Sequence, residues 1–377
     1  MVITFVIDEY GLDTNGTTNF LRRYSRGLMS LGHEVRILCG RGVGEEKIFE
    51  TGEAHYPFKK LVNSEGMAFA KYNKKIAIKA LTGSDIVHFV LPFKFEKKVK
   101  RLADKLSIPS SADFHVLPEN MTEAIHLTHF KFLNNYFYRK FRKFYNKFDI
   151  IHCPSELIKI CLEKHKYKSN ICVISNGVSP FFKHVNTKLD NVHRKKMLIM
   201  MTGRLSNEKR QDLIINAVKN SKYEKHIQLV FAGKGPMEEK YKKLAEGLTN
   251  DAIFNYYSEE ELRFLLSNAT LYIQSSDVET EGLTCLEAMS CKTCVIISDS
   301  KHSATSQYAL SCYSLFNHGD FLSLRDKIDY LIENRDVREE LAELYLNLSK
   351  NYSLDVSINR FINEVLIKSI ENRQHKM

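Results

Sequence analysis

At 377 residues, 44% hydrophobic and 27% charged, the chain is too apolar to be disordered and, at roughly 100–200 residues per domain, long enough for two domains with separate cores. No apolar run reaches the ~18 residues of a membrane-spanning helix, and the opening VITFVID lacks the cationic start and cleavage site of a secretory leader, which points to the cytoplasm. The net charge of +10 is one-sided: residues 1–185 carry 29 Lys/Arg against 18 Asp/Glu and residues 186–377 carry 26 against 27, so the first half suits an anionic partner.

In chain order, residues 2–7 read as a buried strand, 8–16 as a loop, 17–31 as an amphipathic helix stopped by Gly32, and 34–38 as a second strand. This is a βαβ unit, which requires a parallel sheet. Buried strands follow at 86–90, 150–153 and 171–175, with helical stretches between them. Residues 59–105 hold 12 Lys/Arg against 4 Asp/Glu. Residues 129–148 read as an aromatic and basic helix, with Leu133, Phe137, Phe141, Phe144 and Phe148 on one stripe and cations mostly elsewhere around the turn. Two readings stay open for it. Either Lys131, Phe137, Arg139, Lys140, Phe141, Arg142 and Lys143 meet an anionic membrane surface, or the rings are core and the cations a solvated face.

After a polar linker at 182–196 the alternation restarts, with strands at 197–202, 227–232, 270–274 and 294–298 and helices at 210–220, 237–248 and 282–290. Helices at 321–334, 337–350 and 353–373 complete the chain. The expected fold class is α/β, with two Rossmann-like, doubly wound parallel-sheet domains (1–185 and 186–352) facing across a cleft and a terminal helix (353–377) packing back on the first. In open parallel sheets ligands bind at the carboxyl ends of the strands, so function is sought in the loops there. The eight sparse cysteines read as reduced, with Cys39, Cys172 and Cys294 inside apolar runs. Cys291 and Cys294 form a lone CxxC without the second pair that a zinc site needs.

Four such loops carry informative residues. The loop 8–16 ends in Gly16 directly before a helix, where the backbone can approach an anion closely. In MTGRLSNEKRQD, Gly203 follows a strand and Arg204 and Lys209 precede a helix, a setting for a diphosphate or merely for two solvated cations. FAGKGPMEEK repeats the scheme with Gly233 and Gly235, as a ligand contact or as a tight turn that starts a helix. SSDVETEGLTCLEAMS carries Glu279, Glu281 and Glu287, more carboxylates than capping requires and suited to gripping vicinal hydroxyls.

The segments GTTNFLRRYSRGLMSLGHEV, SNGV, GRLSNEK, AGKGP and ETEGLTCLE occur in the order and spacing of the retaining nucleotide-sugar glycosyltransferases of family 4. The chain resembles that family, of GT-B fold, over about residues 1–350. The resemblance implies that Gly16 approaches the donor phosphate, Arg204 and Lys209 hold the diphosphate, and Glu287 binds the ribose. It implies that His115, in SADFHVLPEN after an expected strand at 108–112, and Glu279 serve the transferred sugar. Gly233, Gly235, Glu281, Gly282 and Leu283 then line the rest of the donor site. The first domain becomes the acceptor-binding, membrane-facing one and the second the nucleotide-sugar-binding one. PENMTEAIHLTHFKFLNNYFYRKFRKFYNKFDIIHCPSE and SDSKHSATSQYALSCYSLF look like a bacterial subgroup of diacylglycerol α-glycosyltransferases, which implies a lipid acceptor.

The implied chemistry breaks the C1–O bond to a diphosphate, so fixed cations must meet the charge that develops on the leaving group. No metal and no cofactor are expected, because Arg204 and Lys209 supply that charge and no DxD motif stands in a suitable loop. Front-face attack with retention follows from the resemblance. Two departures leave the donor's base and sugar open: Glu281 stands where the family has an aromatic, and Lys292-Thr293-Cys294 where it has Gly-x-Pro. Alternatives are a glycosyltransferase of lipid-linked polysaccharide assembly, a sugar-nucleotide 2-epimerase and a non-catalytic nucleotide-sugar sensor. Nucleic acid is not an expected partner, since no reader module accompanies the charge. The sequence does not set the oligomeric state.

Overall fold

Residues 1–11, 16–56, 68–118, 131–186 and 196–375 are described by the structure, a computed structural model. The chain divides into two compact units, Met1–Asn176 with Leu354–Met377, and Gly177–Ser353.

The first unit is built on β1 (Val2–Val6), β2 (Glu34–Cys39), β3 (Lys47–Glu50), β4 (Ile86–Phe89), β5 (Ser110–Asp113), β6 (Ile150–Cys153) and β7 (Asn170–Val173). Their order is β3-β2-β1-β4-β5-β6-β7, and every pair is parallel. β4 and β6 are buried throughout, as strands covered by helices on both faces must be. The helices are α1 (Gly16–Ser30), α2 (Lys74–Leu81), α3 (Lys94–Lys105), α4 (Lys131–Tyr145) and α5 (Glu156–Lys164). α1 buries Phe20, Tyr24 and Leu28, one turn apart on a single stripe. The order reverses beside β1, which opens a crevice at the carboxyl ends of β1 and β4.

The chain's last segment belongs to this unit. Leu354–Arg360, the π-helical Phe361–Ile367 and Lys368–Gln374 run on continuously, and Ile358, Phe361, Ile362, Val365 and Leu366 join the core around Phe5 and Tyr24.

The second unit repeats the plan with β8 (Met197–Thr202), β9 (Ile227–Ala232), β10 (Ile253–Asn255), β11 (Leu271–Gln274), β12 (Val295–Ser298) and β13 (Leu315–Phe316). Their order is β10-β9-β8-β11-β12-β13, again all parallel, with the switch between β8 and β11. α6 (Gln211–Lys219), α7 (Glu238–Ala245), α8 (Glu259–Asn268), α9 (Leu283–Ser290), α10 (Phe321–Glu333) and α11 (Arg335–Ser349) cover it.

The structure departs from the sequence reading in three places. The short strands β3, β10 and β13 were absent from it, because an edge strand of two to four residues with one wet side has no apolar run to detect. The boundary falls at Asn176/Gly177 rather than at 185/186: Val178 N–H donates to Tyr352 O at 2.8 Å and Phe182 enters the second core. Most of the expected linker, residues 187–195, lies outside the described residues.

The third departure concerns two residues of α4 in the membrane-facing reading. Phe141, Phe144 and Phe148 are buried against Phe89 and Phe93, Phe137 is half-buried, and Arg142 donates to the His165 carbonyl at 2.7 Å. Phe141 and Arg142 are therefore corrected from membrane-facing to structural. The helix lies on the sheet, and its most apolar stripe fills the core before any outer surface. The rings left in water are Phe132 and Tyr136, 70% and 55% exposed, beside exposed Arg139, Lys140 and Lys143. The Lys131 side chain lies outside the described residues.

Candidate active site

In the second unit two glycine loops interlock. Gly203 has φ +147° and Gly233 φ +156°, and a Cβ on Gly233 would stand 2.1 Å from Gly203 O. A Cβ on Gly235 would stand 2.3 Å from Leu205 O. Leu205 N–H donates to Lys234 O at 3.1 Å and Met237 N–H to Leu205 O at 3.0 Å. Gly233 and Gly235 thus let the loops after β8 and β9 pack backbone to backbone, a role the sequence did not separate from ligand contact.

The loop after β8 turns through a short 3₁₀ segment, Asn207–Lys209, and Arg210 in left-handed conformation (φ +55°) before α6. It is latched to the loop after β11. Asp277 N–H donates to Glu208 O at 2.7 Å, Ser275 Oγ donates to Lys209 O at 2.8 Å, and Arg210 Nη1 lies 3.3 Å from Asp277. The latch places the Lys209 ammonium against the Glu279 carboxylate, both mostly buried. Gln274 Nε2 also donates to that carboxylate at 3.3 Å. A predicted phosphate ligand and a predicted sugar ligand therefore touch at the switch point, where doubly wound sheets bind ligands.

Arg204 is exposed on the same loop, and its carbonyl accepts from Gln211 Nε2 at 3.0 Å. Gly282 caps α9 at φ +84°, where a Cβ would stand 2.0 Å from Thr305 Cγ2, and Leu283, the first residue of α9, is half-buried. Glu287 is buried on α9. Glu281 is buried too, close enough to help burial raise the pKa values of Tyr308 and Tyr352, so its carboxylate faces the interior of the unit. Cys291 and Cys294 are buried, with thiols pushed up to about 12 by burial, and behave as small hydrophobes.

In the first unit Gly16 opens α1, exposed, with no atom of the described residues within 4 Å of where a Cβ would lie; residues 12–15 of its loop lie outside the described residues. His115 follows β5 with its ring 4.4 Å from that of Phe20 and its Nε2 3.4 Å from Asp113 Oδ2. Burial lowers its pKa below the usual histidine value, against the pull of Asp113. The sequence reading missed Asp113 and its partners His88 and His152. The available signal was a histidine or aspartate within each of three strand stretches, IVHFV, SSADF and IIHC.

Among the described residues no helix is long and apolar enough to cross a membrane. Residues 14–180 match the family described as Glycosyltransferase Family 4, and residues 186–345 that described as Glycosyl transferases group 1. The chain is 26% identical over 319 residues to the alpha-monoglucosyldiacylglycerol synthase of Streptococcus pneumoniae, covering 78% of this chain and 70% of that one. To the enzyme of the same name from Acholeplasma laidlawii it is 22% identical over 381 residues, covering 95% and 92%. Its fold matches that of Anabaena Alr3699/HepE, solved in complex with UDP, at a TM-score of 0.74 and 16% identity, covering 98% of this chain and 100% of that one. Two parallel sheets of Rossmann order, each overlapping one of the matched regions, agree with these findings: the chain belongs to the family 4 glycosyltransferases of GT-B fold.

Proposed function

We propose that the chain transfers a hexose from a UDP-linked sugar to a membrane lipid such as diacylglycerol, with retention at the anomeric carbon and without a metal ion. The observation that carries this reading is the Lys209–Glu279 pair across the switch point. A donor diphosphate takes the place of Glu279 on Lys209, exchanging one charge-assisted contact for another, while Arg204 on the same loop meets its other oxygens. The freed Glu279 carboxylate, steadied by Gln274, accepts hydrogen bonds from the sugar hydroxyls. Glu287 holds the ribose and His115 the transferred sugar.

As the C1–O bond breaks, its electron pair passes to the diphosphate, where two fixed cations stabilise it in place of a metal. The acceptor hydroxyl attacks from the leaving-group side and gives its proton to the departing phosphate oxygen. The lipid acceptor is supported by the two named synthases and by a basic face on the first unit. Burial, then the charges of Lys140 and Lys147, lower the pKa of Lys97, so cations of α3 and α4 share that face. Phe132 and Tyr136 stand exposed on α4 as rings for the headgroup region, and each nearby cation adds about 1 kcal/mol of attraction to anionic lipid. The protein then works as a peripheral enzyme at the inner face of the membrane.

The test is a panel of radiolabelled sugar nucleotides incubated with lipid extract, with the product identified. A glycosylated diacylglycerol is the expected result. Equal transfer to a water-soluble acceptor, with no binding to anionic vesicles, overturns the lipid acceptor, and isomerisation of the donor alone identifies an epimerase instead. Lys209→Ala and Glu279→Gln are each expected to lower kcat/KM by about 10²–10³-fold.

A further inference from the structure

Three adjacent strands of the first sheet carry a polar cluster inside an apolar core. His88 on β4, Asp113 at the end of β5 and His152 on β6 share one face, because the register pairs His88 with Ser111 and Asp113 with His152. All three side chains are fully buried, and the Phe361 ring of the terminal segment covers His88 and His152 at 5.0 and 5.5 Å. Asp113 Oδ1 lies 2.6 Å from His152 Nδ1 and 2.8 Å from His88 Nε2. Asp113 Oδ2 faces His115 Nε2 at 3.4 Å, and neither of these atoms has a hydrogen-bond partner among the described residues.

The surroundings assign the protons. His152 Nε2 is 2.7 Å from the Ile174 carbonyl, which can only accept, so that nitrogen carries a hydrogen while Nδ1 faces a carboxylate. His88 Nδ1 meets the Ser111 hydroxyl at 2.7 Å, which leaves Nε2 to face Asp113. A shared metal is the competing reading, since ligand atoms of Asp113, His115 and His152 lie within 4.8 Å of one another. Two atoms bound tetrahedrally to one ion by ~2.1 Å bonds stand about 3.4 Å apart. The 2.6 Å between Asp113 and His152 is instead the length of a charge-assisted hydrogen bond.

We propose that Asp113, kept ionised by a doubly protonated His152, holds His115 with its hydrogen on Nε2, so that Nδ1 accepts a hydrogen bond from a hydroxyl of the bound sugar. The role of Nδ1 rests on the sugar-transfer reading above; the proton assignment does not. Asp113 and His152 are positioning residues that act through His115. The titratable groups around the carboxylate are His88, His115 and His152, with the Tyr145 phenol donating to the Asp113 main-chain carbonyl at 2.9 Å. Burial opposes ionisation of Asp113, but the three histidines outweigh it and hold the pKa well below the usual carboxylate range.

The test begins with ¹⁵N NMR of histidine side chains in the full wild-type chain without substrate, assigned by single substitutions at His115 and His152. At neutral pH His152 is expected to show both ring nitrogens protonated, and His115 to be neutral with hydrogen on Nε2. A neutral His152, or hydrogen on Nδ1 of His115, overturns the proposal whether or not any variant folds. In the folded Asp113→Asn variant, kcat is expected to fall at least ~100-fold with the donor KM within about threefold, and Asp113→Glu to recover part of the loss. Unchanged kcat in that variant also overturns it. If the expected proton pattern appears but no sugar is transferred, the sugar-transfer reading fails and the proton assignment stands.

Discussion

Asp8 follows β1 and turns inward to Glu96 on α3, which brings two buried carboxyl groups together. Its Oδ1 accepts the Ala70 N–H at 2.7 Å. Burial lifts the Asp8 pKa to about 6 despite that bond, and burial with the charge of Asp8 lifts Glu96 well above the usual carboxylate range. Burial and the mutual repulsion of the two groups both favour their protonated forms. A folded value of about 6 against 3.8 unfolded means the folded chain holds the Asp8 proton more tightly. The stabilisation is complete below about pH 4 and is lost as pH rises through 6, a change on the order of 3 kcal/mol. Asp8→Asn keeps the acceptor for Ala70 and stays neutral. It is expected to raise the unfolding free energy by up to about 3 kcal/mol near pH 8 and by little near pH 4. Urea titrations at the two pH values check this, and an equal effect at both contradicts it.

At the scale of elements, the glycine loops and α4 each serve two demands. Gly233→Ala drives a methyl into the Gly203 carbonyl and is expected to cost about 2–3 kcal/mol, read as a lower unfolding midpoint. At Gly16 no atom of the described residues stands in the way, so Gly16→Ala is expected to leave stability within about 1 kcal/mol, and a loss of donor affinity there reports on the approach of the phosphate. On α4 the two faces separate packing from docking. Phe141→Ala is expected to cost about 3–5 kcal/mol, since it empties part of the core. Phe132→Ala is expected to change stability by no more than about 0.5 kcal/mol while weakening binding to anionic vesicles in a sedimentation assay. Unaltered vesicle binding removes this helix from the membrane contact.

For the molecule as a whole, the first unit is completed by the last segment of the chain. Ile358, Phe361, Ile362, Val365 and Leu366 all enter its core. At about 1.5–3 kcal/mol for each buried side chain, their removal costs roughly 8–15 kcal/mol, as much as the whole stability of a typical domain. A chain ending at Ser353 is therefore expected to show one calorimetric transition, from the second unit, where the full chain shows the unfolding of both. Two retained transitions contradict this account. The unit built around residues 1–176 then folds only once residues 354–377 have been synthesised.

Two Rossmann sheets were legible in the sequence because buried parallel strands leave unbroken apolar runs such as LIMM and LVFA, and because glycines mark the loops at their carboxyl ends. Local order also determined which residues stand on or just after those loops, from Gly16 to Glu287. It did not determine which of them touch. The Lys209–Glu279 contact depends on the latch between two loops that lie far apart in the chain. Helical periodicity gave α4 its stripe, but a stripe of rings looks the same against a sheet or a membrane, and only packing on Phe89 and Phe93 chose the sheet. His88, Asp113 and His152 each looked like a single polar interruption of a strand. Only the cross-strand register puts them together, because hydrogen-bonded partners in a parallel sheet are set by tertiary pairing and not by position along the chain.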